Sequence, residues 1–152
     1  MLLDSSLMFE NAAALTASRA STNVIDLVNA RDMGIGRELP LVIAGRANFA
    51  SAGGTATLQI AAQYSADNIT YVDAALSPVM NITELNALVG QEWLFPISWP
   101  RPKKASELAS WNYLRLYFTV GTQNFSAGGI LAYLAIGRQD VVAYPRNFEV
   151  VT

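Results

Sequence analysis

The segment "GTATLQIAAQYS" (residues 54–65) alternates with a period of two. Leu58, Ile60, Ala62 and Tyr64 fall on one face, and Thr57, Gln59, Ala61 and Gln63 on the other. That spacing puts every apolar side chain on one side only if the backbone is extended. "NYLRLYFTV" repeats the pattern, with Leu114, Leu116 and Phe118 set between Tyr113, Arg115, Tyr117 and Thr119. Two such half-buried strands commit the chain to a sheet that must hide one face against something else.

The remaining extended segments follow the same logic less strongly. After the turn residues "ADN" (66–68), "ITYVDAAL" resumes a strand, and "ILAYLAIG" is a largely apolar return strand after the loop "GTQNFSAGG". Weaker strands are "LMFENAAAL", "TNVIDLV", "PLVIAGRANF", "EWLFPIS" and the tail "NFEVV". The total is about nine or ten short strands, with at most one or two short helical turns. "NITELNALVG" supplies one helical turn or two, with Asn81 as cap, Glu84 at the capping-box position and Gly90 as the stop. "KKASELASW" is the other helical candidate, with Ser106 as cap. Neither covers a sheet, so the expected fold is all-β, a two-sheet antiparallel β-sandwich in a single domain spanning residues 1–152.

Composition removes whole classes of function. Cysteine and histidine are both absent, which excludes disulfides, thiolate chemistry, histidine-based triads and imidazole metal ligands. The expectation is a non-enzyme with no cofactor and no metal. A net charge of −2 argues against nucleic acid, which calls for a basic face. No apolar run reaches the length of about 18 residues that a membrane span needs. The opening "MLLDSSLMFENAAALTAS" lacks a positive start and is interrupted by Asp4 and Glu10, so it reads as mature fold of a protein made and kept in the cytoplasm. Charged residues make up only 14% of the chain, which leaves a neutral surface suited to contact with other subunits.

Three motifs carry candidate chemistry. "RDMGIGRE" has two glycines one residue apart, as phosphate-binding turns do, but no third glycine follows and Pro40 stands where the helix would begin. It reads as a loop. The carboxylates Asp26, Asp32, Glu38, Asp67, Asp73, Glu84, Glu92 and Glu107 include no pair marked by context as catalytic. "WPRPKKASELASW" holds the basic cluster Arg101, Lys103 and Lys104 between Trp99 and Trp111, and reads as a solvated loop between core tryptophans. "NIT" at Asn68 and Asn81 matches the glycosylation pattern by chance in a chain read as unsecreted.

Taken in order, several phrases resemble one family. They are "MLLDSSLMFENAAALTASRASTNVIDL", "ARDMGIGRELPLVI", "FASAGGTATLQIAAQYSADN", "YLRLYFTVGTQNFSAGGILAYLAI" and "YPRNFEV". Together they are similar to the jelly-roll capsid cement, or decoration, proteins of short-tailed bacteriophages. The likeness spans nearly the whole chain and departs at "SWPRPKKASELASWN", where the family has a shorter Pro-Gly turn. It implies a jelly-roll subunit on the capsid exterior of the virion, clamping neighbouring copies of the major capsid protein and self-associating, with a dimer favoured over a trimer.

On that reading the capsid-contact candidates lie in an N-terminal arm (residues 1–7) and in loops. They are Leu2, Leu3, Asp4 and Leu7, then Arg31, Asp32 and Arg37, then Arg101, Lys103 and Lys104. The alternative is a carbohydrate-binding β-sandwich on a phage tail or receptor-binding structure, with Trp93, Trp99, Trp111, Tyr113 and Tyr117 as stacking platforms. A weaker third reading is a carboxylate-dependent glycoside hydrolase.

Overall fold

A computed structural model describes residues 7–27, 39–99 and 112–135. Ten strands and one short helix make it up. They are β1 (Met8–Ala14), β2 (Arg19–Ala20), β3 (Ile25–Asp26), β4 (Leu39–Ala50), β5 (Thr57–Ser65), β6 (Val72–Leu76), β7 (Met80–Asn81), α1 (Ile82–Ala87), β8 (Glu92–Trp99), β9 (Tyr113–Gly121) and β10 (Ala127–Leu134). One sheet has the order β1-β10-β4-β8 and the other β2-β9-β5-β6, with β3 also on β9 and β7 also on β5. Every pairing is antiparallel.

The pairings are nested: β1 meets β10, β2 and β3 meet β9, β4 meets β8, and β5 meets β6 and β7. The chain behaves as one long hairpin rolled up so that successive pairs alternate between sheets. That is the jelly roll, and it is the expected sandwich.

Alternation explains the core. Leu58, Ile60 and Ala62 of β5, with Leu114, Leu116 and Phe118 of β9, are buried against Phe9, Leu41, Ile43, Ile130, Ala132 and Leu134 of the facing sheet. Complete burial of a side chain such as Phe118 is worth about 1.5–3 kcal/mol. The first sheet is dry on its other face too: Val42, Ala44, Leu131, Tyr133 and Ala135 form a second buried cluster with Met8 against it. This is why "ILAYLA" reads as a continuous apolar run. The second sheet keeps its outer face in contact with water, and Gln59, Gln63, Tyr113, Arg115 and Tyr117 are only half-buried there.

Local chemistry sets the boundaries. Asn81 caps α1 by accepting the Glu84 backbone N–H at 3.0 Å, and the Glu84 carboxylate accepts the Asn81 N–H at 2.8 Å. Gly90 follows with φ +80°, a left-handed stop. β8 leaves β4 after Ala44, and the helix segment takes over that edge. The Gly90 N–H donates to the Gly45 carbonyl at 3.0 Å, and Gly45 bridges to Val89. A Cβ on Gly45 would come within 3.0 Å of the Val89 Cα, so glycine is what lets the two backbones meet.

Two expectations shift. The strand over "TNVIDLV" is reduced to Ile25–Asp26, because the preceding backbone crosses between sheets: Ser21 N–H donates to Leu116 of β9 and Asn23 N–H to Phe9 of β1. "SAGG", read as loop, already belongs in part to β10, which begins at Ala127. The expected strand "NFEVV" and helix "KKASELASW" lie outside the described residues.

Candidate functional site

The water-facing side of the second sheet carries a connected polar and aromatic surface. Across β9, β5 and β6, Arg115, Gln63 and Asp73 stand in one row. Arg115 Nε donates to Gln63 Oε1 at 2.8 Å, and Gln63 Nε2 donates to Asp73 Oδ1 at 2.7 Å. The neighbouring row is Tyr117, Ala61 and Leu76, with Ala20 beside Tyr117 on β2.

The loop between β5 and β6 folds back over this face. Asp67 Oδ1 accepts hydrogen bonds from the Thr70 N–H (2.8 Å), the Ile69 N–H (2.9 Å) and the Ser65 hydroxyl (2.9 Å). Chiefly because of the Thr70 and then the Ile69 N–H, its carboxyl sits below the usual aspartate value. Asn68 takes a left-handed φ of +60°, and its side chain accepts the Tyr71 hydroxyl. The Tyr71 ring is thereby fixed against Arg115, whose guanidinium carbon lies 3.5 Å from the ring centroid. Tyr117 is at 5.8 Å on the same cation. Burial pushes the Tyr71 hydroxyl up, aided by Asp67 and Tyr113 and opposed by Arg115. A groove of about 300 Å³ beside the loop is lined by Tyr64, Ser65, Ala66, Asp67, Thr70 and Val72.

The edge of this sheet carries exposed apolar side chains beside Asp73. Exposed large apolar side chains among the described residues are Val24, Ile69, Val72, Leu76 and Val79, and all but Val24 lie between residues 69 and 79, around edge strand β6. A second polar cluster has a different character. Glu10 of β1, 2% exposed in its side chain, accepts Arg19 Nη1 at 2.8 Å, the Thr22 N–H at 3.0 Å and the Thr22 hydroxyl at 2.7 Å. Its acceptors are taken up within the fold, and it ties β1 of one sheet to β2 of the other.

Of the residues singled out from sequence, Leu7 is described, and it is buried in the core, 5% exposed. It packs the sandwich and does not offer its side chain to a partner. Leu2, Leu3, Asp4, Arg31, Asp32, Arg37, Arg101, Lys103 and Lys104 lie outside the described residues. Tyr113 and Tyr117, named as stacking platforms, do stand on the outer face, on either side of Arg115 along β9. Gln63 stands on the outward face that the alternation gave it, while Tyr71 was not anticipated, since its place depends on the loop closing over the sheet. Among the described residues no three His, Cys, Asp or Glu side chains gather as a metal site. The void between α1 and the sheet is about 20 Å³ and lined by apolar side chains, a packing gap.

Fold and surface together define a jelly-roll sandwich with one open, aromatic- and arginine-bearing sheet face and exposed apolar side chains at its edge. The Bbp16 family model matches residues 9–134. The chain belongs to that family, and is accordingly a phage-related protein, as the sequence phrases implied. No curated protein matches the chain.

Proposed function

We propose that this chain is a virion structural protein, a capsid cement or decoration protein. It binds the outside of the phage head and clamps neighbouring major capsid protein subunits. The observation that carries this reading is the exposure of four large apolar side chains, Ile69, Val72, Leu76 and Val79, along the short stretch that holds edge strand β6. Val72 and Leu76 lie on opposite faces of that strand, and apolar surface exposed on both sides of a sheet edge supports a protein contact there. Membership of a phage-related family and the jelly-roll fold support the same reading.

No catalysis is needed for such a role. A protein that binds only the assembled shell stabilises it by mass action, and many identical sites per particle add up. The chain is proposed to act without cofactor, on the capsid exterior, and to self-associate as a dimer. The experiment is co-sedimentation of purified protein with mature heads of its own phage, alongside mass spectrometry of purified virions. Saturable binding and presence in virions are expected; absence from virions overturns the reading. The carbohydrate-binding alternative rests on Tyr113 and Tyr117, the stacking platforms whose side chains are described, and a glycan array with specific hits would favour it.

A further inference from the structure

Arg115 is held in a way that a merely solvated arginine is not. Its Nε is fixed by Gln63, which is itself anchored by Asp73, and one guanidinium face is covered by Tyr71. Tyr71 in turn is set by Asn68 in a loop braced by Asp67. No bond from either terminal nitrogen, Nη1 or Nη2, is made among the described residues. The other two described arginines differ: Arg19 is spent on Glu10, and Arg46 is exposed with no such frame. A guanidinium with its stem and face immobilised and its terminal donors open is a preorganised fork for a carboxylate.

The surroundings choose the source of that carboxylate. Tyr117, Ala61 and Leu76 form an apolar row directly beside the Arg115 row, and Leu76 is half-exposed. Arginine and tyrosine set among apolar contacts are the make-up of energetic centres in protein interfaces. Asp73 shares the row and accepts from Gln63, which anchors the frame on one side and leaves the Arg115 guanidinium as the row's cationic donor. We infer that the outer face of the second sheet, centred on Arg115 and framed by Tyr71 and Tyr117, docks a protein partner through an aspartate or glutamate side chain. This rests on the proposed capsid role and locates that role's contact on a sheet face, away from the arm and loops expected from sequence.

Two measurements separate this inference from the reading beneath it. In the first, arginine side-chain ¹⁵N NMR of the full chain is followed while acetylated tri-glutamate is added, with tri-glutamine and glucuronate as parallel probes. Saturable shifts of the Arg115 Nη signals with tri-glutamate, absent with tri-glutamine, are expected. No response, or a stronger response to glucuronate than to the peptide, overturns the inference, the latter assigning the site to an acidic glycan.

In the second, head binding is compared for the wild type, Arg115→Lys and Arg115→Gln, each first checked for an unchanged thermal transition. Arg115→Gln is expected to weaken binding about thirtyfold, with Arg115→Lys in between because it keeps the charge and loses the fork. Equal binding by wild type and Arg115→Gln overturns the inference and leaves the capsid role standing. If the wild type does not bind heads, the capsid role fails and the peptide titration alone decides Arg115.

Discussion

Asn86 uses its side-chain amide as a substitute strand for Phe49. The Phe49 N–H donates to Asn86 Oδ1 at 2.7 Å, and Asn86 Nδ2 donates back to the Phe49 carbonyl at 3.0 Å. The reason lies in the sheet. β8 pairs with β4 only as far as Ala44, so the later residues of β4 face an edge with no strand beside it. Helix α1 closes that edge with the Asn86 side chain, and Val89 and Gly90 just after it add backbone contacts at Gly45.

Replacing Asn86 with alanine therefore strands two backbone groups of a buried residue. The expected loss is about 1–3 kcal/mol. It should appear in urea unfolding as a lower midpoint with an unchanged slope, since the extent of the fold stays the same. A loss within experimental error would mean that water satisfies both groups and that the helix contributes no pairing.

Glu10 and Arg19 make a sharper test of how the two sheets are joined. Arg19→Ala leaves a carboxylate buried, with Thr22 its remaining partner, and is expected to cost about 3 kcal/mol. Adding Glu10→Gln removes the unpaired charge while keeping an oxygen for Thr22, so the double variant should be more stable than Arg19→Ala alone. Urea unfolding of the two variants decides it. A double variant less stable than Arg19→Ala would show that an unpaired Glu10 charge is not what the loss of Arg19 costs, leaving its bonds to the Ala14 and Ala20 carbonyls and its packing over Phe118, 5.6 Å from the ring centroid.

These two cases also show what the sequence could and could not reveal. β5 and β9 were legible because each has one dry and one wet face, and α1 was legible because Asn81, Glu84 and Gly90 stand at capping distances. β10 hides its period because both of its faces are buried. Glu10 looks like any solvated carboxylate until Arg19 and Thr22 are folded over it, and no local pattern announces that. Leu7 read as part of a free arm, yet its aliphatic chain fills the core. The Arg115 surface has no motif at all: Tyr71 and Arg115 are brought together only by the braced loop and the register of β5 with β9.

That brace is pH-dependent. A carboxyl held below its ordinary value in the fold stabilises the fold at pH values above the unfolded value, and the benefit is lost as pH falls through the folded one. For Asp67 the ordinary value is 3.8, so the loop should hold at neutral pH and loosen only below 3.8. The amide signals of Ile69 and Thr70 are expected to titrate together with a midpoint under 3.8, and Asp67→Asn should abolish the transition. A midpoint at or above 3.8 contradicts the hydrogen-bonded arrangement.

Gly128 offers the most severe substitution. Its φ is +151°, and a Cβ there would lie 2.3 Å from Phe49 Cδ1 and 2.5 Å from Cε1. The ring cannot simply move aside, because it is buried and packed edge-on against Phe125 with centroids 5.1 Å apart. Gly128→Ala thus combines backbone strain with overpacking, and about 3 kcal/mol or more of stability should be lost. Phe49→Leu alone should cost about 1–2 kcal/mol through the lost ring contact. In the double variant the smaller side chain makes room for the new methyl, so the combined loss should fall short of the sum by about 1 kcal/mol, read from a denaturation cycle. Strict additivity would locate the whole penalty in the backbone of residue 128 and remove the ring contact as the reason that position is glycine.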